Sequence, residues 1–184
     1  MSTNNQLPIP RVRQPFGYLA TTHEAEVSFA AALNAVIPFT NNSLQSEEKY
    51  ITANESGGSV TSFTLKVGHV YKCTSSVFLS TATGSPSDPI TRSFSWYDKD
   101  ISTDATTGIL GIAGVEQKSD TTRDFHNSDA VAYVDTFSLD KDITVELKVK
   151  TVTDASTVVM LDVGTTVIIE LVPNFSGPWN ENKS

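Results

Sequence analysis

Alternating carboxylates mark the segment DKDISTD. It places three aspartates and one serine at every second position, as calcium ligands stand in the first half of an EF-hand loop: Asp98, Asp100, Ser102 and Asp104. Two features of such a loop are missing, because Thr103 stands where it needs glycine and Ile109 stands where it needs a bidentate acid. The segment is therefore predicted to be a solvated acidic loop, with calcium binding as the alternative.

Two other combinations hold residue types used by hydrolytic enzymes. The HEAE sequence at His23 begins like the HExxH motif of zinc proteases, but Val27 stands where the second histidine belongs. His126, Ser128 and Asp129 supply the types of a catalytic triad, yet the chain contains no G-x-S-x-G turn. It also lacks a P-loop and a dinucleotide fingerprint. These patterns predict neither an enzyme nor a bound metal or cofactor.

Trp96 and Tyr97 form an adjacent aromatic pair that could bind a sugar ring. Flat aromatic faces beside carboxylates such as Asp98 and Asp100 suit that ligand. Successive strand residues point to opposite faces of a sheet, so if Trp96 lies in the core then Tyr97 is exposed or at an interface. One core aromatic and one surface tyrosine is the simpler interpretation.

The composition is that of a folded, acidic protein. The 184 residues are enough for one well-buried domain, and 39% of them are hydrophobic. The formal net charge of -8 disfavours a surface for nucleic acid. No apolar run approaches the roughly 18 residues of a membrane span, so membrane insertion is not expected. Cys73 is the only cysteine, which excludes an intrachain disulfide, and it is predicted to be a small core residue.

Three runs between residues 131 and 172, AYVDTF, ITVELKVK and TVIIELVP, carry the strongest structural signal. In ITVELKVK the period-two alternation predicts a core face of Ile143, Val145, Leu147 and Val149. Its other face is predicted to meet water and holds Thr144, Glu146, Lys148 and Lys150. The last run has an inner face of Val167, Ile169 and Leu171. Its outer face is also apolar, at Ile168 and Val172 beside Glu170, so we expect a second subunit to cover it.

Four earlier runs from Ser59 onward, SVTSFTLKV, VYKCTSSVFLS, ITRSFSWYD and GILGIAGV, also read as strands. Gly68-His69 separates the first two runs and predicts a tight hairpin, with Val67 pointing inward. A short strand is expected at 49–52. The segment 22–34 is predicted to be a short helix, since its acids suit a first turn, with an opening strand as the alternative. These elements predict an all-β antiparallel β-sandwich or jelly roll with at most one short helix.

The N-terminal residues differ from the rest of the chain in charge and proline content. Residues 1–22 contain two arginines and no acid, so they carry +2 and the remainder carries -10. Pro8, Pro10 and Pro15 disfavour a helix or a central strand, which predicts an extended arm, or alternatively a disordered tail. The arm residues predicted to dock on an acidic neighbour are Ile9, Arg11, Val12, Arg13, Phe16 and Tyr18.

The segments FTLKVGHVYKCTSSVFL, FSWYD, TGILGIAG, AYVDTF, ITVELKV and TVIIEL follow one another in a recognisable order. Their arrangement from Ser59 to Val172 resembles the jelly-roll heads of bacteriophage head fibres and spikes, which are related in form to trimeric heads of the tumour necrosis factor (TNF) type. The resemblance implies three jelly rolls packed around a threefold axis, with an N-terminal segment fastened to the capsid. The chain has no fibrous repeat or heptad stalk, which favours a short spike, decoration or minor capsid protein.

Together these observations predict an arm at 1–20, a connection at 21–58, a jelly roll at 59–172 and a tail at 173–184. The predicted function is a non-enzymatic structural protein on the virion capsid surface. Its predicted partners are two further copies of itself and other virion proteins. The predicted subunit interface contains Ile168, Val172, Tyr97 and Phe137. The alternative is a module that binds host glycans or another receptor through the loops 81–89, 98–107 and 116–129.

Overall fold

The protein is built from antiparallel β-strands. The computed structural model describes residues 18–22, 27–29, 33–40, 44–45, 50–81, 90–102, 104, 106–118, 127–152, 159–161 and 165–172. Its strands are β1 (Tyr18–Thr22), β2 (Val27–Phe29), β3 (Phe39–Thr40), β4 (Leu44–Gln45), β5 (Ile51–Ser56), β6 (Ser59–Leu65), β7 (Val70–Thr81), β8 (Ile90–Asp98), β9 (Ile109–Lys118), β10 (Asn127–Asp135), β11 (Ile143–Val152), β12 (Val159–Leu161) and β13 (Thr166–Leu171).

These residues contain no helix, which confirms the predicted all-β class. Accordingly, nothing in the described part of the chain is a helix long and apolar enough to cross a membrane.

The strands form one curled sheet with two halves. The β7 half has the order β10-β7-β13-β1-β4, and the β11 half has the order β3-β6-β11-β8-β9, with β5 beside β6. The halves join where Val131 of β10 pairs with Ile112 of β9. The sheet folds over at this junction, so the inner faces of the two halves meet. Trp96 Nε1 of β8 spans the gap and donates to the carbonyl of Ala130 on β10, at 3.3 Å.

The core lies between the two halves and follows the alternation read from the sequence. The predicted inward residues of β11 and β13 are buried, from Ile143 to Val149 and from Val167 to Leu171. The ring of Phe63 packs against Phe39 and Trp96, with centroids 6.2 and 6.0 Å away. Cys73 is fully buried, as predicted, and burial raises the pKa of its thiol. Each buried large side chain contributes about 1.5–3 kcal/mol, so this layer dominates the stability of the fold.

The predicted hairpin at Gly68-His69 is wrong, because this turn connects the two halves of the sheet. β6 pairs with β5 and β11, whereas β7 pairs with β10 and β13. Tyr71 Oη donates to the carbonyls of Tyr50 and Lys66, at 3.1 and 3.0 Å, and so ties the turn to the sheet. Because β6 already ends at Leu65, Val67 lies in the turn and is 38% exposed rather than inward.

The helix predicted within 22–34 is wrong for the described part of that segment, where the alternative, an opening strand, is found. Val27–Phe29 form strand β2, which pairs with β12 as Phe29 opposite Val159. Asn34 lies in a turn with a φ of 67°, a left-handed value that asparagine tolerates better than most residues. Pairing with β12 supplies the backbone hydrogen bonds that a helix would otherwise form within itself.

The sheet extends on the N-terminal side of the predicted jelly roll. β1 pairs with β13, and Tyr18, which was assigned to the docking arm, stands opposite Glu170. β5 pairs with β6 near the expected position of a short strand. The other predicted arm residues, Ile9, Arg11, Val12, Arg13 and Phe16, lie outside the described residues, as does the tail at 173–184.

Gly111 creates an irregularity where β8 and β9 pair. The register passes from Phe94 opposite Gly114 to Trp96 opposite Leu110, so β9 carries extra residues here. Gly111 has a φ of 71°, and a Cβ at this position would meet the backbone of Val131 and Ala132 on the adjacent strand. Both the backbone angle and the close approach therefore require glycine.

We expect Gly111→Ala to lower the free energy of unfolding by more than the matched substitution Gly58→Ala. Gly58 also has a positive φ, of 80°, but a Cβ there would have no atom within 4 Å. Gly58→Ala should cost only the left-handed strain of about 1–2 kcal/mol. Gly111→Ala should add an overpacking cost of about 1–3 kcal/mol. Urea denaturation of both variants measures the difference, and equal losses would refute the close approach at Gly111.

Candidate interaction surface

The β7 half exposes a broad face that points away from the core. Register places Ile112, Val131, Thr74 and Ile168 in one row across four strands. The next row contains Tyr133, Lys72 and Glu170. We call these seven residues the outer face. Each belongs to a strand whose inward residues pack in the core, so the alternation that builds the core also fixes this surface.

The outer face is apolar at its centre and charged at one side. Ile112 is 76% exposed and Tyr133 is 65% exposed, and Val131 between them is half-buried. Lys72 Nζ lies 4.0 Å from Glu170 Oε2, and both side chains remain accessible to solvent. An exposed pair at this distance adds little to the stability of one chain. Apolar groups beside accessible charges are the combination with which proteins bind other proteins.

The structure separates the four residues predicted for the subunit interface. Ile168 is half-buried on the outer face, as its alternation predicted. Val172 follows β13 and is half-buried, with its amide donating to the carbonyl of Val70 at 2.9 Å. Phe137 is 43% exposed but lies in the loop after β10, away from the outer face.

The prediction for Tyr97 is wrong, because this tyrosine, expected to be exposed or at an interface, is completely buried within one chain. It therefore offers no side-chain surface to a second copy.

Sequence analysis did not identify Ile112, Val131 and Tyr133 as part of this surface. The alternation in AYVDTF was recognised, but it could not show which strand lies beside β10. Ile112 joins the surface only because β9 crosses to the β7 half at Val131. This contact depends on the irregularity at Gly111, which has no periodic signature in the sequence.

A buried ion pair replaces the solvated polar face predicted for β11. Lys148 Nζ lies 2.6 Å from Glu146 Oε1, and these side chains are 6% and 7% exposed. Lys148 also donates to Ser102 Oγ at 2.8 Å and lies 5.5 Å from the centroid of the Tyr97 ring. The prediction that Glu146 and Lys148 face water is therefore wrong. Their positions on the strand are those expected, but this side of the β11 half is covered.

This cluster holds the acidic loop against the β11 half. Removing ions from water is costly, so Glu146 and Lys148 each require the other as a partner. The hydrogen bond to Ser102 connects their strand to the loop after β8. Burial raises the pKa of Tyr97, and the negative charge of Asp104 raises it further. Ser95 Oγ is buried without a hydrogen-bond partner and is shielded from any external reactant.

The carboxylates of the acidic loop are engaged by their own chain. Asp98 Oδ1 accepts the amide of Asp100 at 2.9 Å, and Asp100 Oδ2 lies 3.0 Å from Lys141 Nζ. Hydrogen bonds from the hydroxyl and amide of Thr106 lower the pKa of Asp104. Within the described ranges no three His, Cys, Asp or Glu side chains converge as a metal site would require. The described carboxylates of this loop are thus held by groups of their own chain.

The residue types of a hydrolase are not brought together among the described residues. Ser128 and Asp129 are successive residues of β10, and Asp129 Oδ1 accepts a hydrogen bond from Ser76 Oγ at 2.5 Å. His126 and His23 lie outside the described part of the chain.

No family model and no curated protein matches the chain. Among solved structures, the Eiger tumour necrosis factor of S. frugiperda aligns with 85% of this chain and 92% of its own, with a TM-score of 0.51 and 10% identity. The fold is a TNF-like jelly roll. An endo-1,4-β-D-xylanase of Clostridium thermocellum, complexed with xylohexaose, aligns with 90% of this chain and 30% of its own. Its TM-score of 0.29, at 16% identity, is too low to support an argument. The TNF-like fold agrees with the predicted jelly roll, whereas the likeness to phage proteins stays a prediction.

We expect Lys148→Met to destabilise the protein by about 3–5 kcal/mol, because Glu146 would remain buried without a cation. Adding Glu146→Leu should recover much of this loss, since neither charge would then be buried. Lys141→Met is the matched control, because its partner Asp100 is accessible and the change should have little effect on stability. Denaturant titration measures all three. Similar losses from Lys148→Met and Lys141→Met would contradict the burial of the ion pair.

Proposed function

We propose that this protein is a non-enzymatic structural component of a virion that self-associates as a homotrimer through the outer face. In this proposal the N-terminal arm fastens the assembly to the capsid or another virion protein on the particle surface. The observation that carries the self-association is the exposure of Ile112 and Tyr133 beside the half-buried Val131, with the half-buried Ile168 in the same row beyond Thr74.

Exposed apolar area gives the physical reason for self-association. Monomeric proteins rarely expose contiguous apolar patches larger than about a few hundred Å², and patches above that size mark sites of protein contact. Ile112 and Tyr133 are more than half exposed, although β10 buries Ala130, Ala132 and Val134 in the core and Leu110 of β9 packs against it. The hydrophobic contribution from burying this surface against another copy would be roughly 25 cal/mol for each Å² of apolar surface removed from water, and the entropy lost on association offsets part of it. The accessible Lys72 and Glu170 would help to set the register between copies.

A closed ring is favoured over a filament by the nature of the fold. Among the described strands, β4 pairs only with β1 and β5 only with β6, so each is an edge of the described sheet. Closed assemblies limit growth and protect such edges from unwanted pairing. The TNF-like fold, together with the resemblance of the strand order to trimeric spike heads, supports three as the number of copies.

The virion assignment rests on the sequence. The strand segments from Ser59 to Val172 resemble the heads of phage fibres and spikes, and residues 1–17 carry two arginines and no acid. A basic, proline-containing segment suits attachment to an acidic partner.

The glycan-binding alternative loses its aromatic platform, because Tyr97 is buried and Asp100 is paired with Lys141. Much of the other two predicted loops lies outside the described residues. No described contact favours this alternative over self-association.

We expect Ile168→Asp to dissociate the assembly and to leave the sheet folded. The substitution puts a charge on the outer face, while the neighbouring Val167 and Ile169 remain in the core. Tyr133→Asp tests the same surface two strands away. The matched control is Leu33→Asp, which also adds a charge at an exposed apolar residue but lies outside the outer face.

Light scattering after size exclusion gives the mass of each variant, and circular dichroism reports its fold. A folded Ile168→Asp variant with the same mass as Leu33→Asp would refute the placement of the interface.

A further inference from the structure

One end of the sandwich exposes a second apolar patch, separate from the outer face. Four large apolar side chains lie there, in the loops that follow β6, β8 and β10. We call this patch the loop end. Its members are Val67 (38% exposed), Ile101 (59%), Phe137 (43%) and Leu139 (37%).

Hydrogen bonds connect the three loops into one surface. Gly68 donates its amide to the carbonyl of Thr136 at 3.1 Å, and Val67 donates its amide to Asp142 Oδ1 at 3.0 Å. The ion pair between Lys141 and Asp100, at 3.0 Å, connects the loop after β10 to the loop after β8. The four apolar side chains therefore stand on segments that are fixed relative to one another.

The loop end is acidic. The segments 66–69, 98–102 and 135–142 contain five aspartates and three lysines. Two of the lysines are used within the surface, Lys66 by Asp142 at 2.7 Å and Lys141 by Asp100. Asp135 and Asp140 stand on either side of Phe137 and Leu139 in the sequence. Carboxylates therefore flank the segment that contains Phe137, the aromatic residue of the patch.

The N-terminal arm enters the fold at this same end. Tyr18, the first residue of β1, stands opposite Glu170 near the end of β13. The amide of Val172 then donates to the carbonyl of Val70, which begins β7 directly after the turn that contains Val67. Neighbouring strands are about 4.8 Å apart, so β1 begins roughly 10 Å from β7. Seventeen extended residues reach about 56 Å, and the arm can cross the whole loop end.

We propose that residues 1–17 dock in cis on the loop end of their own chain. The arm carries complementary chemistry, because Val12 lies between Arg11 and Arg13 and Phe16 follows closely. In this arrangement Val12 and Phe16 would cover Phe137 and Leu139. The guanidinium groups of the arm would pair with Asp135 and Asp140.

A tethered segment acts at an effective concentration near the millimolar range, so a weak intrinsic affinity is sufficient. Docking of this kind would make any external partner of the arm compete with the loop end. The inference does not depend on self-association through the outer face.

The test introduces Ile9→Cys into the whole chain and attaches a nitroxide to the new cysteine. The measured quantity is the paramagnetic broadening of backbone amide signals. Cys73 is the only native cysteine, and its burial and raised pKa keep it unreactive. We expect broadening at Gly68, Phe137 and Leu139. Ser76 and Thr166, which pair with each other far along their strands, serve as internal controls and should stay sharp.

Two double variants in the arm distinguish docking that depends on charge from proximity that results only from the covalent connection. Arg11→Glu with Arg13→Glu should abolish the broadening, and Arg11→Lys with Arg13→Lys should retain most of it. Neither pair alters a described contact of the sheet.

A mixed sample carries the isotope on one chain and the nitroxide on another. It shows whether the docked arm belongs to the same chain or to a second copy. Broadening confined to chains that carry both labels supports docking in cis. Broadening in the mixed sample would overturn it in favour of the arm of a second copy. No broadening at the loop end would also overturn the proposal, and would leave the arm to an external partner.

Discussion

The apolar contact between the two halves of the curled sheet is the interaction on which the rest of the structure depends. Trp96, Phe63 and Leu147 from one half meet Tyr71 and Val167 from the other, and each is essentially inaccessible to solvent. Because successive strand residues alternate, committing these side chains to the core determines which residues point outward. The surfaces available for function are therefore consequences of the core, and the fold-over at Gly111 decides which strands share them.

The outward faces of the two halves differ in their exposure to solvent. On the β11 half, the Glu146 and Lys148 pair lies under the acidic loop with Tyr97, so this side presents a covered polar cluster. On the β7 half, Ile112 and Tyr133 remain exposed. This asymmetry explains why self-association is assigned to one half of a sandwich whose two halves have similar alternation. The ion pair is connected to that loop by the hydrogen bond from Lys148 to Ser102.

Alternation predicted the inward residues of β11 and β13 and the outward direction of Ile168, because a strand has a fixed period of two. It could not predict what covers each face, so the expectations that Tyr97 is exposed or at an interface and that Glu146 and Lys148 face water are wrong. Turn residues also predict only part of the local structure. Gly68-His69 marks a reversal of the chain, but whether the flanking strands pair depends on contacts as distant as Tyr71 with Tyr50. Val27–Phe29 became a strand because β12 lies beside it, and that neighbour is far away in sequence.

We propose that further copies of the same chain cover the exposed side of the β7 half. Sedimentation equilibrium of the unmodified protein, over a wide range of concentrations, tests this most directly because the measured mass does not depend on shape. Three times the mass of one chain is expected, with dissociation only on dilution. The mass of a single chain at every concentration would contradict it, and the outer face would then need a partner of a different kind.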